Sequence, residues 1–241
     1  MKTVLVTGGT KGIGKAIALE FLKQGFEVVI NYCNDERSAL ATQEEFNMLG
    51  YCPVLMRADV SDEAQVRAMF KEYFSIYDTL DVLVNNAGIS LVRVIQDTTL
   101  ADWNKVFAVN TNGAFLCSKA VADRMIGNGG GCIINVSSIW GEVGASCEVA
   151  YSASKGALIA FTKALAKELA PSKVRVNCVS PGVIDTQMNA DLTGEEMEQL
   201  ISQIPAGRIG YPEDVAKACV YLSEADYVTG EVLSVGGGFA K

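Results

Sequence analysis

Thr3-Val4-Leu5-Val6-Thr7-Gly8-Gly9-Thr10-Lys11-Gly12-Ile13-Gly14 joins a short apolar run to a glycine cluster, and an amphipathic stretch, Gly12–Gln24, begins inside that cluster. Residues 3–7 read as a strand and residues 12–24 as a helix. Glycines at such a junction permit a tight turn, let the backbone approach a pyrophosphate, and let helix and strand pack closely. The helix N-terminus adds unpaired N–H groups and the positive end of its dipole. A plain tight turn uses glycines too. Position after the first strand of a βαβ unit is what points to a dinucleotide, although the spacing Gly8-x-x-x-Gly12-x-Gly14 departs from Gly-x-Gly-x-x-Gly. Gly8, Thr10, Lys11, Gly12, Ile13 and Gly14 form the expected phosphate-binding set.

The alternation continues outward from this turn. Thr3–Thr7, Glu27–Asn31, Pro53–Arg57, Leu80–Asn85, Cys132–Ser137, Arg175–Ser180 and Glu231–Val235 read as strands. Gly12–Gln24, Glu36–Leu49, Glu63–Tyr77, Trp103–Ile126, Tyr151–Ala170 and Pro212–Leu222 read as helices. Strands apolar on both faces belong in a parallel sheet covered on both sides. The pattern predicts a single α/β domain over residues 1–241, a doubly wound Rossmann-like parallel sheet of about seven strands with helices on both faces. Residues 185–208 break the pattern. They read as an excursion that covers the substrate, or alternatively as a surface helix pair.

Composition excludes several function classes. The 241 residues carry 20 Lys and Arg against 28 Asp and Glu, a net charge of −8. That disfavours nucleic acid, which needs a basic face. Histidine is absent, which removes Ser-His-Asp and Cys-His catalysis and His-bearing zinc sites. No metal site is expected. The seven cysteines are an odd number without framework spacing, so free thiols in a reducing compartment are expected. Met1-Lys2 lead straight into a strand rather than a leader, and no run approaches the roughly 18 apolar residues that span a bilayer. A cytoplasmic protein with no membrane contact is the expectation.

The second strand ends in Asn31-Tyr32 with no carboxylate for ribose hydroxyls, and Lys11 adds a cation to the phosphate loop. Both favour a 2′-phosphate, hence NADP(H) over NAD. Asp35 lies a few residues too late, unless a bent loop brings it back.

Tyr151-Ser152-Ala153-Ser154-Lys155 opens a long helix. Positions i and i+4 share one face. A free phenol has a pKa near about 10. An ammonium about 4 Å away, at an effective dielectric of about 20, is worth roughly 4 kcal/mol and lowers that value by about three units. Tyr151 is then a candidate acid or base; the bland alternative is a surface tyrosine and a solvated lysine. Its neighbours weigh against that. Ser138 follows the fifth strand, Asn86-Ala87-Gly88 the fourth, Asp59-Val60 the third and Pro181-Gly182 the sixth. Asn110 interrupts an apolar helical stretch and is expected to bend it and hold a water. Motifs at the carboxyl ends of successive strands occupy the ligand-binding edge of an open α/β sheet.

Together these residues resemble the short-chain dehydrogenase/reductase family over essentially the whole chain, from Thr7 to Gly236-Gly237-Gly238. The resemblance implies a tetrad of Asn110, Ser138, Tyr151 and Lys155. In it Tyr151 is the proton donor, Ser138 orients the carbonyl, Lys155 binds the nicotinamide ribose and lowers the Tyr pKa, and Asn110 holds a relay water. It implies Asp59 and Val60 beside the adenine, Asn86, Ala87 and Gly88 beside the adenosine ribose, and Pro181, Gly182, Val183, Ile184 and Thr186 around the carboxamide. Asn31 is placed at the cofactor too. Homotetramers are implied.

Length, Val109-Asn110-Thr111-Asn112-Gly113 and the chain ending are most similar to the 3-oxoacyl-acyl-carrier-protein reductases, implying NADPH-dependent reduction of a small or carrier-bound ketone. Gly129 and Ser172 lack the arginines that often dock the acidic carrier there, leaving Lys173 and Arg175 to compensate. Gly236 stands where Asp or Asn is usual. Trp140, Glu142, Cys147 and Glu148 resemble reductases of the aminopentanone group on elongation factor P. Either glutamate beside the cleft could pair with an ammonium, with Trp140 packed on it; surface acids and a core Trp are the plain alternative. A cofactor-binding regulator without chemistry is a third reading, weakened by the intact tetrad.

Overall fold

The computed structural model describes residues 1–186 and 194–239. Strands β1 (Thr3–Val6), β2 (Glu27–Tyr32), β3 (Val54–Arg57), β4 (Val82–Asn85), β5 (Gly131–Val136), β6 (Val174–Pro181) and β7 (Val232–Val235) form one parallel sheet in the order β3-β2-β1-β4-β5-β6-β7. Its helices are α1 (Gly12–Lys23), α2 (Glu36–Met48), α3 (Glu63–Ile76), α4 (Leu100–Phe107), α5 (Gly113–Gly127), α6 (Ile139–Val143), α7 (Val149–Leu169), α8 (Gly194–Ser202) and α9 (Pro212–Glu224).

Period-two alternation builds both cores. Val4, Val6, Val28, Ile30, Val82 and Val84 face Ile17 and Phe21 of α1 and Val215 and Cys219 of α9. The residues between them, Leu5, Val29 and Leu83, face Phe70 and Tyr73 of α3, Val121 and Met125 of α5 and Leu169 of α7. A strand buried on both faces has no polar position to spare, so polar groups collect at strand ends. The order reverses at β1 and β4, which opens a crevice over their carboxyl ends.

Two expectations change. Residues 103–126 are not one regular helix: Ala108–Asn112 form a π turn between α4 and α5, the widened helical geometry that Asn110 was expected to impose as a bend. Part of the excursion over 185–208 is helical, as α8, and residues 187–193 lie outside the described residues. No helix among the described residues is long and apolar enough to cross a membrane.

Candidate active site

The glycine turn is held by close backbone contact. Gly8 has φ +61°, and a Cβ there would stand 3.0 Å from the Ala87 Cα. A Cβ on Gly14 would meet the Gly8 carbonyl oxygen at 2.3 Å and Asn86 Nδ2 at 2.4 Å. The Thr7 hydroxyl accepts from the backbone N–H groups of Asn86 and Ala87, both at 3.0 Å. Asn86 donates back to the Thr7 and Gly8 carbonyls. The loops after β1 and β4 are thus tied edge to edge. Lys11 is the extended residue before α1, and no side chain caps that helix. Its first-turn N–H groups are left for an anion. Thr10 is buried, its carbonyl accepting from Thr42 of α2, while Ile13 is half-buried at the mouth. This cradle, which side chains would fill, fits a pyrophosphate.

At the outer end of the crevice Asn31 turns inward. Its amide accepts from Gly8 N and donates to the carbonyls of Met56 and Ala58 at 3.3 and 3.0 Å, and it is 2 % exposed. Its role there is to brace the glycine turn against β3 rather than to present a side chain to a ligand. Lys11 forms an ion pair with Asp35, so the bent loop does bring that acid back. Asp59 accepts from Ser61 N and Oγ, and Val60 packs on Gly113 at the start of α5. Arg57, which sequence reasoning missed, donates from Nε to the Cys33 carbonyl at 3.0 Å and brings a second cation to this loop. It stands in register opposite Tyr32 at the end of β2.

The four residues expected to form the tetrad converge beyond β4 and β5. Asn110, 1 % exposed, accepts from Ile89 N at 2.8 Å and donates to the Ile89 carbonyl at 2.9 Å and to Ser154 Oγ at 3.0 Å. Ser154 had passed unnoticed, being one serine in a helix. Ser138 caps α6, and α6 packs backbone to backbone on α7: a Cβ on Gly141 would meet the Lys155 carbonyl carbon at 2.7 Å. That contact brings the Ser138 hydroxyl toward the Tyr151 phenol, whose pKa it lowers. Lys155, 4 % exposed, donates from Nζ to the Val136 carbonyl at 2.8 Å. A Cβ on Gly88 would stand 3.3 Å from both Asn110 Oδ1 and Lys155 Nζ, so the β4 loop closes over the same pocket.

The electrostatics differ from the sequence expectation. Lys155 Nζ lies over the Tyr151 ring, 5.7 Å from its centroid. Burial dominates: it pushes the Tyr151 phenol up to about 12, against the Ser138 hydrogen bond, with nearby Glu148 raising it further. Burial also pulls the Lys155 ammonium down to about 8. A phenol that keeps its proton at neutral pH is an acid.

At the end of β6 Pro181 is buried, and Gly182 after it lies against Gly236, where a Cβ on Gly182 would stand 2.6 Å from the Gly236 Cα. Val183 and Ile184 run beside Gly210, and Thr186 comes to rest near Gly12, with Thr186 Cγ2 3.3 Å from where a Cβ would stand. The structure thus brings Gly8, Gly14, Asn86 and Ala87 into contact, sets Thr186 against Gly12, and places Asn31 beneath the turn.

A family model described as enoyl-(acyl carrier protein) reductase matches residues 8–240. The 3-oxoacyl-acyl-carrier-protein reductase of Aquifex aeolicus is 41 % identical over 239 residues, covering 98 % of this chain and 96 % of that protein. The chain belongs to the short-chain dehydrogenase/reductase family. It is an oxidoreductase of that family. Solved members share its form: a putative gluconate dehydrogenase of Agrobacterium tumefaciens has a TM-score of 0.96 at 32 % identity, covering 100 % of this chain and 96 % of its own. A gluconate 5-dehydrogenase of Burkholderia cenocepacia, in complex with NADP and tartrate, has a TM-score of 0.93 at 33 % identity, covering 99 % and 94 %.

This short-chain dehydrogenase/reductase departs from the expected substrate surface in two ways. Arg175 is not free to replace a missing carrier-docking arginine, because its guanidinium bonds the Leu222 and Ser223 carbonyls at 2.6 and 2.7 Å. Trp140 meets Phe239 edge to face, and Glu142 is exposed. Glu148 is the acid that turns toward the catalytic groups: it is half-buried, accepts from Ser90 Oγ at 3.1 Å, and burial raises its pKa. Ser90, two residues past Gly88, had carried no signal in the sequence.

Proposed function

We propose that this chain reduces a ketone to a secondary alcohol with NADPH, and that the substrate is a 3-oxoacyl thioester, small or carrier-bound. The observation that carries the reading is the buried Tyr151 phenol, kept protonated by burial beside Ser138, with the Lys155 ammonium 5.7 Å from its ring centroid. The Aquifex relative's activity supports the substrate class. Lys11 and Arg57, with no acid at the end of β2, support NADPH, as does the NADP bound by the Burkholderia neighbour. The reading includes a cytosolic place and a homotetramer, for which the half-exposed Phe115 on α5 is a candidate contact.

When bound, the nicotinamide supplies the hydride. Ser138 holds the carbonyl oxygen with its hydroxyl. Tyr151 gives that oxygen its phenolic proton as negative charge develops there, which favours an acid poised beside it. One Lys155 N–H is spent on Val136 and two remain for the ribose hydroxyls. Asn110 holds Ile89 and, through Ser154, the backbone of Tyr151, and its amide oxygen keeps a second lone pair for a relay water.

Mixing the protein with NADPH and acetoacetyl-coenzyme A and following absorbance loss tests this; turnover is expected. Tight NADPH binding with no turnover on any ketone would favour a non-catalytic regulator instead.

Glu148 favours one second reading, an aminoketone such as the aminopentanone group on elongation factor P. No cation pairs with this half-buried carboxylate among the described residues, and an ammonium would complete it. Glu148→Gln should then depress turnover of a small aminoketone and spare acetoacetyl-coenzyme A.

A further inference from the structure

Between the sheet and the layer of α5 and α7 runs a seam of buried polar groups inside an otherwise apolar core. Asn85 and Asn135 stand side by side, in register, on β4 and β5. Asn85 Nδ2 donates to Asn135 Oδ1 at 2.9 Å and to Ser118 Oγ of α5 at 3.1 Å. Asn135 Nδ2 donates to Thr162 Oγ1 of α7 at 2.8 Å, and the Thr162 hydroxyl donates to the Leu158 carbonyl at 2.8 Å. All of these side chains are buried, Asn135 and Thr162 completely. Just past β5, the Ser137 hydroxyl donates to the Lys155 carbonyl at 2.9 Å. The proton-transfer steps above use none of these side chains.

The bonds act on the position of α7. Lys155, Leu158, Thr162, Ala166 and Leu169 form the buried stripe of that helix. Apolar contact along such a stripe attracts without direction. It sets how closely α7 lies against β5 better than it sets how far along β5 the helix stands. Hydrogen bonds are directional and supply what the apolar contact lacks. Thr162 lies two turns, about 10 Å, beyond Lys155. It ties to Asn135, while the Lys155 backbone ties to Ser137. The helix therefore runs antiparallel to β5 and is held at two points of one stripe, which fixes both its slide and its roll. A buried polar pair fixes the register of apolar helix interfaces in the same way.

We infer that Asn135, through Thr162, is a positioning residue for the reaction: it sets where α7 stands along β5, and so where Tyr151 and Lys155 meet the substrate and the nicotinamide ribose. This rests on the ketone-reduction reading above and adds to it a pair of residues sealed inside the domain.

The test separates position from stability. Asn135→Leu combined with Thr162→Val replaces both partners by apolar groups of similar shape, an exchange close to neutral in stability. Asn85 keeps Ser118 as a partner in that variant. Its melting temperature should stay within about 5 °C of the wild type. Its kcat for acetoacetyl-coenzyme A with NADPH should fall by about tenfold or more, with KM changed by about threefold at most, because a small misplacement of reacting groups acts on the chemical step. Thr162→Val alone should lower kcat in the same way. Thr162→Ser keeps the hydroxyl and should hold kcat within about twofold of the wild type. These two single variants decide the matter if the double variant does not fold. A folded double variant with wild-type kcat, or equal kcat in Thr162→Ser and Thr162→Val, would overturn the inference and leave ketone reduction standing. A wild type that turns over no ketone would overturn both.

Discussion

The side-chain amide of Asn110 pairs with the backbone of Ile89 in both directions, accepting at 2.8 Å and donating at 2.9 Å, as one strand residue pairs with another. The pairing needs the amide to leave the helical path between α4 and α5, and the π turn at Ala108–Asn112 supplies that displacement. A π turn inside a helix is uncommon and tends to mark a functional position. Through Ser154 the same amide reaches the Tyr151 carbonyl, so one side chain fixes the β4 loop and the start of α7 together. Asn110→Ala should cost about 1–3 kcal/mol for the buried groups left unpaired. Urea unfolding measures that cost, and turnover should fall more than the Michaelis constant rises.

Tyr151→Phe removes the phenolic oxygen and keeps the buried ring. Turnover should drop by about a hundredfold or more, while the dissociation constant for NADPH stays near its wild-type value. Loss of binding along with turnover would show that the ring, not the proton, is what matters.

The Lys155 ammonium titrates at about 8 and the Tyr151 phenol at about 12. Ketone reduction should therefore decline as pH rises through about 8, by about tenfold per unit well above it. Stability should move the other way. The unfolded chain holds the Lys155 proton up to its ordinary 10.5 and the folded chain gives it up near 8, so between these values the unfolded state binds more protons. Stability from this group then rises with pH across that window. A pH series of kcat/KM and of urea midpoints checks both signs.

Gly14→Ala places a methyl group against Gly8 and Asn86. Overpacking of this kind costs about 1–3 kcal/mol, and dinucleotide binding should weaken with it. Gly127→Ala, at the end of α5 with open space around it, should stabilise by about 0.5–1 kcal/mol. Melting temperatures of the two variants should therefore shift in opposite directions.

Cys147 has φ +63°, the left-handed region, without being glycine. That conformation costs an L-residue about 1–2 kcal/mol. Cys147→Gly should raise the melting temperature. A simultaneous fall in kcat/KM would assign the strained side chain a part in the cleft that borders Glu148.

Much of this molecule was legible in advance because its strands are short, apolar on both faces and followed by glycine or polar residues. Leu5 between Val4 and Val6 already implies two opposite cores, and Tyr151 with Lys155 already implies one helical face. Arg57, Ser154 and Ser90 were not legible, because each gains its meaning from a partner 24, 44 or 58 residues away in the chain. The inward turn of Asn31 and the engagement of Arg175 by carbonyls escaped for the same reason. A residue type states which bonds it can make, and only the packed neighbours state which it does make.

Local chemistry alone determined the alternating architecture, the phosphate turn and the shared helical face of Tyr151 and Lys155, since hydrophobic period and glycine placement act over a few residues at a time; the full tetrad was implied by the family resemblance. Tertiary structure decided the protonation states and the loyalties of the charges. Burial, a property of the whole packed domain, outweighs the Lys155 charge at Tyr151, and the meeting of two helix starts commits Lys11 to Asp35.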